Sequence, residues 1–268
     1  MLAARPHLGA AADAIGSADL RWVAAAGALQ LVAAAAPAML WRAGFGLSGA
    51  ALGRVRALAL YASGSFLNSF LPGRVGGALR LGLFAAALPH EGRLRGCARS
   101  MASIAVARQV VLLVVVGTGV AVGGVATWLV AVPAVWLAGA AFACRRLGGS
   151  VDARLAGWAG TTALARAAAV AASLLALGVP RPLQLAAGIV LALELAAIFP
   201  LLPGNLGASA AVATALSAQG VPGDTAIAAG LLLHGLETAV GLGLGGLAAA
   251  ALAIPRGAVI PRVPAAAA

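Results

Sequence analysis

The stretch FLPGRVGGALRLGL, residues 70–83, lies inside an apolar segment, residues 57–88, that is too long for one membrane-spanning helix. A second long apolar segment, residues 183–219, contains LLPGNLGASAAVAT at residues 201–214. A single span needs roughly 20 residues. Each stretch carries a Pro-Gly pair, and these residues end or kink helices. The pattern therefore predicts that each long segment is a helical hairpin broken near its middle.

The composition indicates an all-α polytopic membrane protein. Of the 268 residues, 62% are hydrophobic and 9% are charged, and the mean hydropathy is +1.02. A soluble domain is about half apolar and a quarter charged, so an ordinary soluble domain and a disordered chain are excluded. Two cysteines are too few for a disulfide-stapled module. The apolar runs are long and do not alternate, which favours helices over a β-barrel.

Five further apolar segments each have the length of one span. They are residues 22–40, 101–122, 125–144, 158–178 and 225–250. The charge of the connecting segments predicts their topology. Residues 42–56, 89–100, 145–157 and the C-terminal tail carry net charges of +3, +2, +2 and +2. The other segments outside the apolar runs sum to zero, so the positive-inside rule places the four basic segments in the cytoplasm.

This topology has a consequence for the two long segments. Both flanks of 57–88 lie in basic segments and are therefore inside, whereas both flanks of 183–219 are outside. Each segment must then enter and leave the membrane on one face. The sequence predicts two re-entrant hairpins that enter from opposite faces, with the C-terminus in the cytoplasm. The overall charge of +11 is explained by this orientation, and no nucleic-acid partner is expected.

The two broken segments resemble copies of each other. Both read Leu-Pro-Gly-x-x-Gly, with prolines 131 residues apart, and each is followed 33 to 35 residues after its Gly by a membrane charge, Arg108 or Glu237. We predict a single transmembrane domain, 1–268, with inverted repeats at about 22–122 and 158–250 and an inverting helix at 125–144. Such repeats are typical of transporters. The alternative is that the motif recurs by chance among 13 Pro and 36 Gly.

Six charged residues fall inside the apolar segments. They are Arg74, Arg80, Arg108, Arg166, Glu194 and Glu237. A charge in the bilayer is costly, so these residues face protein, water or a ligand. Two arginines exceed the carboxylates, which suits a lipid phosphate, because arginine binds phosphate bidentately and stays charged. Freed N–H groups and a positive half-helix end at Gly76-Gly77 add to this. The alternative is that some arginines snorkel to the interface.

Other polar residues leave alternatives open. His234 and Glu237 share a helix face and either relay protons or form a structural ion pair with an arginine. Two such ligands are too few for a metal site. Asn68 and Asn205, beside the breaks, either satisfy freed backbone groups or touch a head group. No nucleophile elbow, phosphate loop or clustered acid pair is present, so we expect no enzymatic activity, cofactor or metal.

The sequence resembles a known family at these residues. Asn68-Ser-Phe-Leu-Pro72-Gly73-Arg74-Val-Gly76 with Arg80, then Arg108, then Pro203-Gly204-Asn205-Leu206-Gly207, is similar to the lysylphosphatidylglycerol synthase transmembrane-region family. Its members are also called flippase-like domain proteins. The resemblance covers roughly residues 20–250. It implies a multi-pass bacterial plasma-membrane protein that moves lipids or lipid-linked precursors between leaflets.

The chain departs from this family in four respects. Gly77 and Ser209-Ala210 stand where the family often has acidic residues, which removes carboxylates on which coupling at the hairpins would depend. One more helix usually precedes the one that matches 22–40. The best-known members carry a cytosolic aminoacyl-transferase domain, for which 268 residues leave no room, so we do not expect lipid aminoacylation.

We therefore expect binding and translocation of an anionic lipid, with membrane lipids as partners. One alternative is a non-transporting accessory subunit of a glycolipid or cell-wall lipid pathway, which implies a lipid-modifying enzyme as partner. Another is a membrane-embedded transferase that uses lipid-phosphate donors. The predicted substrate-binding residues are Asn68, Pro72, Gly73, Arg74, Gly76, Arg80, Arg108, Pro203, Gly204, Asn205, Gly207 and Glu237.

Overall fold

The computed structural model describes the chain over four ranges, and all the regular structure within them is helical. These ranges are residues 5–70, 75–122, 126–196 and 206–253, with side chains described over 9–67, 75–122, 126–194 and 207–248. The described α-helices are α1 (Arg5–Gly16), α2 (Leu20–Gly46), α3 (Arg54–Phe70), α4 (Val75–Ala85), α5 (Arg93–Ala121), α6 (Ala131–Leu147), α7 (Ala153–Ala176), α8 (Pro182–Ala196), α9 (Leu206–Ser217) and α10 (Gly223–Ala253). A 3₁₀ turn, Thr127–Val130, leads into α6.

Five helices of the described chain are long and apolar enough to cross a membrane. They are α2, α5, α6 with its preceding turn, α7 and α10. These are the five segments for which the sequence predicts single spans. Most of them extend beyond the apolar run: α5 begins at Arg93 and α7 includes Arg154. Helical hydrogen bonding does not stop at the edge of the hydrocarbon, so the first turns carry the flanking arginines.

Each of the two long apolar segments consists of two shorter helices. The first segment forms α3 and α4, of 17 and 11 residues, and the second forms α8 and α9, of 15 and 12 residues. All four are shorter than the roughly 20 residues of a full span. Within each pair the two helices pack against each other. The Pro-Gly pairs themselves lie outside the described residues.

The loops before α3 and after α4 lie together at one end of the molecule. Gly49 packs against the ring of Pro89. Arg99, near the start of α5, donates from Nη2 to the Leu47 carbonyl at 2.8 Å, and the hydroxyl of Ser100 lies 2.7 Å from that of Ser48. Most of the described arginines outside the apolar segments are at this end, which we call the arginine-rich end. Its arginines are Arg42, Arg54, Arg56, Arg93, Arg95, Arg99, Arg145, Arg146 and Arg154.

The loops before α8 and after α9 lie at the opposite end. Residues 177–181 and 219–222 line one shared cavity there. The start of α2 is at the same end, because the Asp19 N–H donates to the Ala176 carbonyl at 2.9 Å. Asp19 also caps α2 through a hydrogen bond from the Arg21 N–H. The two short-helix pairs therefore have their outer flanks at opposite ends of the bundle.

Two hydrophobic clusters stabilise the packing of the helices, one in the first half of the chain and one in the second. An aromatic cluster of Trp41, Phe45, Tyr61 and Phe84 joins α2, α3 and α4, with ring centroids 5.2–6.1 Å apart. An aliphatic cluster joins α7, α8, α9 and α10. Burying such side chains contributes about 1.5–3 kcal/mol each when the surroundings change from water to protein. In lipid this driving force is absent, and close packing carries the association instead.

Two glycines permit especially close helix crossings. A Cβ at Gly64 of α3 would lie 2.6 Å from the Gly76 carbonyl oxygen of α4, and one at Gly230 of α10 would lie 2.6 Å from the Ser209 carbonyl oxygen of α9. No larger residue fits at either crossing without movement of the backbone. Both crossings place a short helix directly against its neighbour, and this close packing positions the side chains of the candidate site.

Candidate functional site

Four membrane-embedded charges meet in one ion-paired network. Arg108 Nη2 lies 2.7 Å from Glu194 Oε2, and Arg166 Nη1 lies 3.1 Å from Glu194 Oε1. Arg166 also reaches Glu237, with Nη2 3.4 Å from Oε1. Arg166 is thus the centre of the network, which consists of two guanidinium groups and two carboxylates and is neutral in sum.

The four charges lie within their helices, with side chains 22–45% exposed. Arg108, Arg166 and Glu237 lie near the middle of α5, α7 and α10, and Glu194 lies in the last turns of α8. Charges at this depth are tolerated when they pair with each other or line a cavity. The network therefore ties four helices together. It also decides among the interpretations of Arg166: this side chain pairs with two carboxylates and does not snorkel to an interface.

A cavity of about 140 Å³ opens beside the network. Three network residues, Arg108, Arg166 and Glu237, lie on its wall. Its other polar or aromatic lining side chains are Gln30, Trp41, Tyr61, Ser65 and Thr162. Pro37 also lines it and has no N–H. The Ala33 carbonyl, one turn earlier on the same wall, therefore lacks its usual helical donor. The cavity thus combines cationic, polar and aromatic groups inside an apolar bundle.

Arg80 stands directly behind this cavity. Its guanidinium carbon lies 3.7 Å from the ring centroid of Tyr61 and 5.7 Å from that of Trp41. Its Nη2 donates to Ser65 Oγ at 2.9 Å. Tyr61, Trp41 and Ser65 all line the cavity, so Arg80 is one side chain away from it. Stacking on an aromatic face is characteristic of arginine and holds the guanidinium in one plane.

Arg80 differs from the other described arginines inside the apolar segments. Arg108 and Arg166 each contact a carboxylate, whereas Arg80 contacts none within the described part of the chain. Its Nε is buried and has no hydrogen-bond partner there. α3 and α4 cross closely where Gly64 lies against the Gly76 carbonyl. A Cβ at Gly64 would also come within 3.0 Å of Arg80 atoms, so Arg80 lies directly against α3 at this crossing. The close packing of α3 and α4 thus presses Arg80 against Tyr61.

Two smaller cavities adjoin the network. One, of about 30 Å³, lies between Arg108, Arg166 and Glu194 and includes Gln109. The other, of about 10 Å³, is lined by Arg166 and Glu237 together with Gln30, Ser209 and His234. Gln30 is buried in α2 and lines both this cavity and the 140 Å³ cavity. The polar groups of the network therefore continue from one cavity into the next.

A larger cavity lies elsewhere in the described part of the chain. About 620 Å³ lies between the loops 177–181 and 219–222, and Arg181 is the one charged residue on its lining. It is a half-open groove at the end of the bundle, remote in the fold from the four paired charges. Among the described residues, no group of three or more His, Cys, Asp or Glu side chains is placed to hold a metal ion. The 140 Å³ cavity is therefore the candidate site, because charge and polarity converge on it.

The structure brings some of the predicted residues together. Arg108 and Glu237 share the network, Arg80 lies behind the same cavity, and Gly76 forms the close crossing that positions Arg80. Gly207 lies at the start of α9. The other predicted residues are not characterised: the side chain of Asn68, and the whole of Pro72, Gly73, Arg74, Pro203, Gly204 and Asn205, lie outside what the structure describes.

Sequence reasoning missed several lining residues. Gln30 could have been singled out in the sequence, because it is a polar residue in an otherwise apolar run. No sequence pattern marks Trp41, Tyr61 and Ser65 as lining residues, because aromatic and small hydroxyl residues are common in membrane helices. Arg166 and Glu194 were recognised as membrane charges but not as site residues. Their roles depend on which helix faces which, and no local pattern encodes this.

The comparisons with known proteins give no neighbour. No family model matches the chain, and no curated protein and no solved structure matches it. The function therefore has to be argued from the residues and their geometry.

Proposed function

We propose that this chain is a multi-pass plasma-membrane protein that binds the phosphate of an anionic lipid at the 140 Å³ cavity and moves the lipid between leaflets. The observation that carries the proposal is the position of Arg80, which has no carboxylate partner among the described residues and stacks behind a cavity lined by two more arginines. The resemblance to flippase-like domain proteins is in line with it.

The charge at the site favours an anionic ligand. Three described arginines lie at or behind the cavity, and the network contains two carboxylates. The sum of these five charges leaves one positive charge unbalanced. An uncompensated charge in the membrane interior costs a few kcal/mol even on insertion scales. A phosphodiester carries one negative charge and offers the oxygens that the planar guanidinium fork binds best.

The packing of the helices supports two inverted repeats. α2 and α7, the first spans of the two predicted units, are antiparallel, because Asp19 bonds Ala176 at one end and Gly44 packs against Leu155 at the other. When the two units are exchanged, α3 takes the place of α8 and α10 takes the place of α5. The contact between α3 and α10 then corresponds to the contact between α8 and α5, and both pairs of helices touch. Transporters with this architecture bind substrate near the membrane midplane and expose it alternately to each side.

The charge distribution supports an orientation. The arginine-rich end lies in the cytoplasm under the positive-inside rule, so the short-helix pair α3–α4 enters from the cytoplasm and α8–α9 from outside. The C-terminus is then cytoplasmic. A lipid phosphate that reaches Arg80 from the cytoplasmic side would pass between the two pairs on its way to the other leaflet.

Arg80 variants test the proposal. Full-length protein in a neutral detergent is titrated with a short-chain phosphatidylglycerol, and its melting temperature is measured in parallel. Arg80→Ala removes the cation that stands behind Tyr61 and Ser65 on the cavity wall, and if a phosphate reaches it by a charge-assisted contact of about 1.5–3 kcal/mol, affinity should fall roughly ten- to a hundredfold. Arg80→Lys should restore only part, because an ammonium loses both the planar fork and the stacking on Tyr61.

Controls separate binding from folding. Arg95→Ala, an exposed arginine at the arginine-rich end, should leave the affinity unchanged. Glycerol phosphate, which lacks acyl chains, should bind more weakly than the lipid. Since Arg80 pairs with no described carboxylate, Arg80→Ala should lower the melting temperature less than Arg166→Ala does. Unchanged affinity in a stable Arg80→Ala protein would contradict the phosphate site.

A further inference from the structure

Glu237 is the least firmly held member of the ion-paired network. Glu194 is contacted by two arginines, at 2.7 and 3.1 Å, whereas Glu237 is contacted by Arg166 alone, at 3.4 Å. The side chain of Glu237 is 40% exposed and that of Glu194 is 22% exposed. Glu237 also lies on the wall of the 140 Å³ cavity, and Glu194 does not. An anion in this cavity therefore lies beside Glu237, whereas Glu194 is outside the lining.

The carboxylate of Glu237 opposes such an anion in two ways. A chamber of 140 Å³ keeps any phosphate within a few ångströms of its wall, and like charges at that distance repel strongly where the dielectric constant is low. Glu237 also occupies the Nη2 group of Arg166 that the phosphate would use. Both obstacles disappear when the carboxylate takes up a proton, because it then has no charge and no longer competes for Arg166.

A second titratable group lies beside Glu237. His234 precedes it by three residues on α10, so the two side chains share a helix face. The Nδ1 of His234 and the Oγ of Ser209 are buried without a hydrogen-bond partner among the described residues. Both residues line the 10 Å³ cavity, together with Glu237. That cavity has room for about one water molecule.

We infer that the 140 Å³ cavity binds a lipid phosphate together with one proton, and that Glu237 is the group that takes up the proton. This inference rests on the proposed function. In the step, a proton from the aqueous phase converts the Glu237 carboxylate to a carboxylic acid, and the phosphate replaces it at Arg166, which keeps Glu194.

The structure describes few other ionisable groups around Glu237. Of the helices packed against α10, α7 contributes Arg166 and α3 contributes Tyr61. α2 contributes the neutral Gln30, and α9 has no ionisable side chain in its sequence. Asp13 of α1 lines neither cavity. Beyond these, Arg108 of α5 completes the charged wall. Among the described residues, Glu237 and His234 are therefore the carboxylate and the imidazole that line these two cavities.

Calorimetry in two buffers tests this inference. Short-chain phosphatidylglycerol, whose phosphate does not titrate near neutral pH, is added to full-length protein in neutral detergent at pH 7. Buffers with different ionisation enthalpies report the protons taken up on binding. We expect an uptake that approaches one proton. The affinity should accordingly rise as the pH falls from 8 to 6, by at most about tenfold per unit.

Matched variants identify the proton carrier. Glu237→Gln should bind without proton uptake and with an affinity that does not depend on pH, while Glu91→Gln, an exposed loop carboxylate, should behave as the wild type. His234→Gln should keep the uptake. Binding without proton uptake in the wild type would overturn the inference and leave the proposed function standing. Uptake that persists in Glu237→Gln would also overturn it, whereas no phosphatidylglycerol binding at all would defeat the proposed function itself.

Discussion

At the scale of single residues, the network separates two kinds of arginine. Arg108 and Arg166 neutralise Glu194 and Glu237, and they hold four helices together. Arg80 is held by an aromatic face and a hydroxyl instead. A cation on Tyr61 keeps its charge available to a ligand, whereas a cation on a carboxylate does not. Under the proposed function, Arg108 is therefore mainly structural, Arg80 serves ligand binding, and Arg166 serves both.

This division predicts an order of stabilities. Glu194→Ala removes two short contacts, at 2.7 Å to Arg108 and 3.1 Å to Arg166, and because Arg108 is 45% exposed the loss should stay below the cost of about 3–5 kcal/mol for a fully buried ion pair. Glu237→Ala removes one longer contact and should cost roughly 1–3 kcal/mol. Glu91→Ala, at an exposed loop position, is the control and should change little. Thermal unfolding in detergent measures all three. A larger loss for Glu237→Ala than for Glu194→Ala would show that the network is assembled differently.

The sequence identifies the membrane charges but not their partners. All six could be located, because a charge in an apolar run is conspicuous, and the surplus of arginine over carboxylate follows from counting. Which arginine is in surplus could not be predicted. That depends on how α4 and α7 are rotated, and the rotation of α4 is fixed by a close crossing between Gly64 and Gly76 that leaves no periodic trace in the sequence.

At the scale of helices, the breaks are the most informative feature. The sequence predicts that segments 57–88 and 183–219 are each divided, and each forms two short helices that pack against each other. It also predicts the five spans to within several residues at most ends. The hydropathy pattern does not predict α1, because residues 5–16 contain no long apolar run. Hydropathy detects what lies in the hydrocarbon, and a short terminal helix that packs against α10 escapes it.

Labelling of single cysteines tests the re-entrant hairpins. In a background without Cys97 and Cys144, a cysteine at Pro180 or Gln219 should react with an impermeant reagent applied from outside intact cells. A cysteine at Glu91 or Ser150 should react only after permeabilisation. All four positions are exposed, so reactivity reports the side of the membrane and not burial. Outside labelling at position 91 would mean that segment 57–88 crosses the membrane, which would contradict the hairpin.

At the scale of the whole molecule, the two ends and the centre have different chemistry. Arginines concentrate at one end, the loops 177–181 and 219–222 form the other, and paired charges with a polar cavity occupy the middle. A protein that only scaffolds a membrane enzyme has no need of a surplus cation at its centre. A protein that carries an anionic head group across the apolar layer does, since the head group must be solvated by protein along the way.

Translocation in liposomes tests this account most directly. Purified protein is reconstituted with a trace of head-group-labelled phosphatidylglycerol, and an impermeant quencher reports the fraction in the outer leaflet, with and without a pH gradient. We predict that the wild type exposes inner-leaflet label faster than protein-free liposomes, that Arg80→Ala does so more slowly, and that Arg95→Ala matches the wild type. Label that moves no faster than in protein-free liposomes, with a protein that still binds the lipid, would contradict the account and favour a non-transporting accessory subunit.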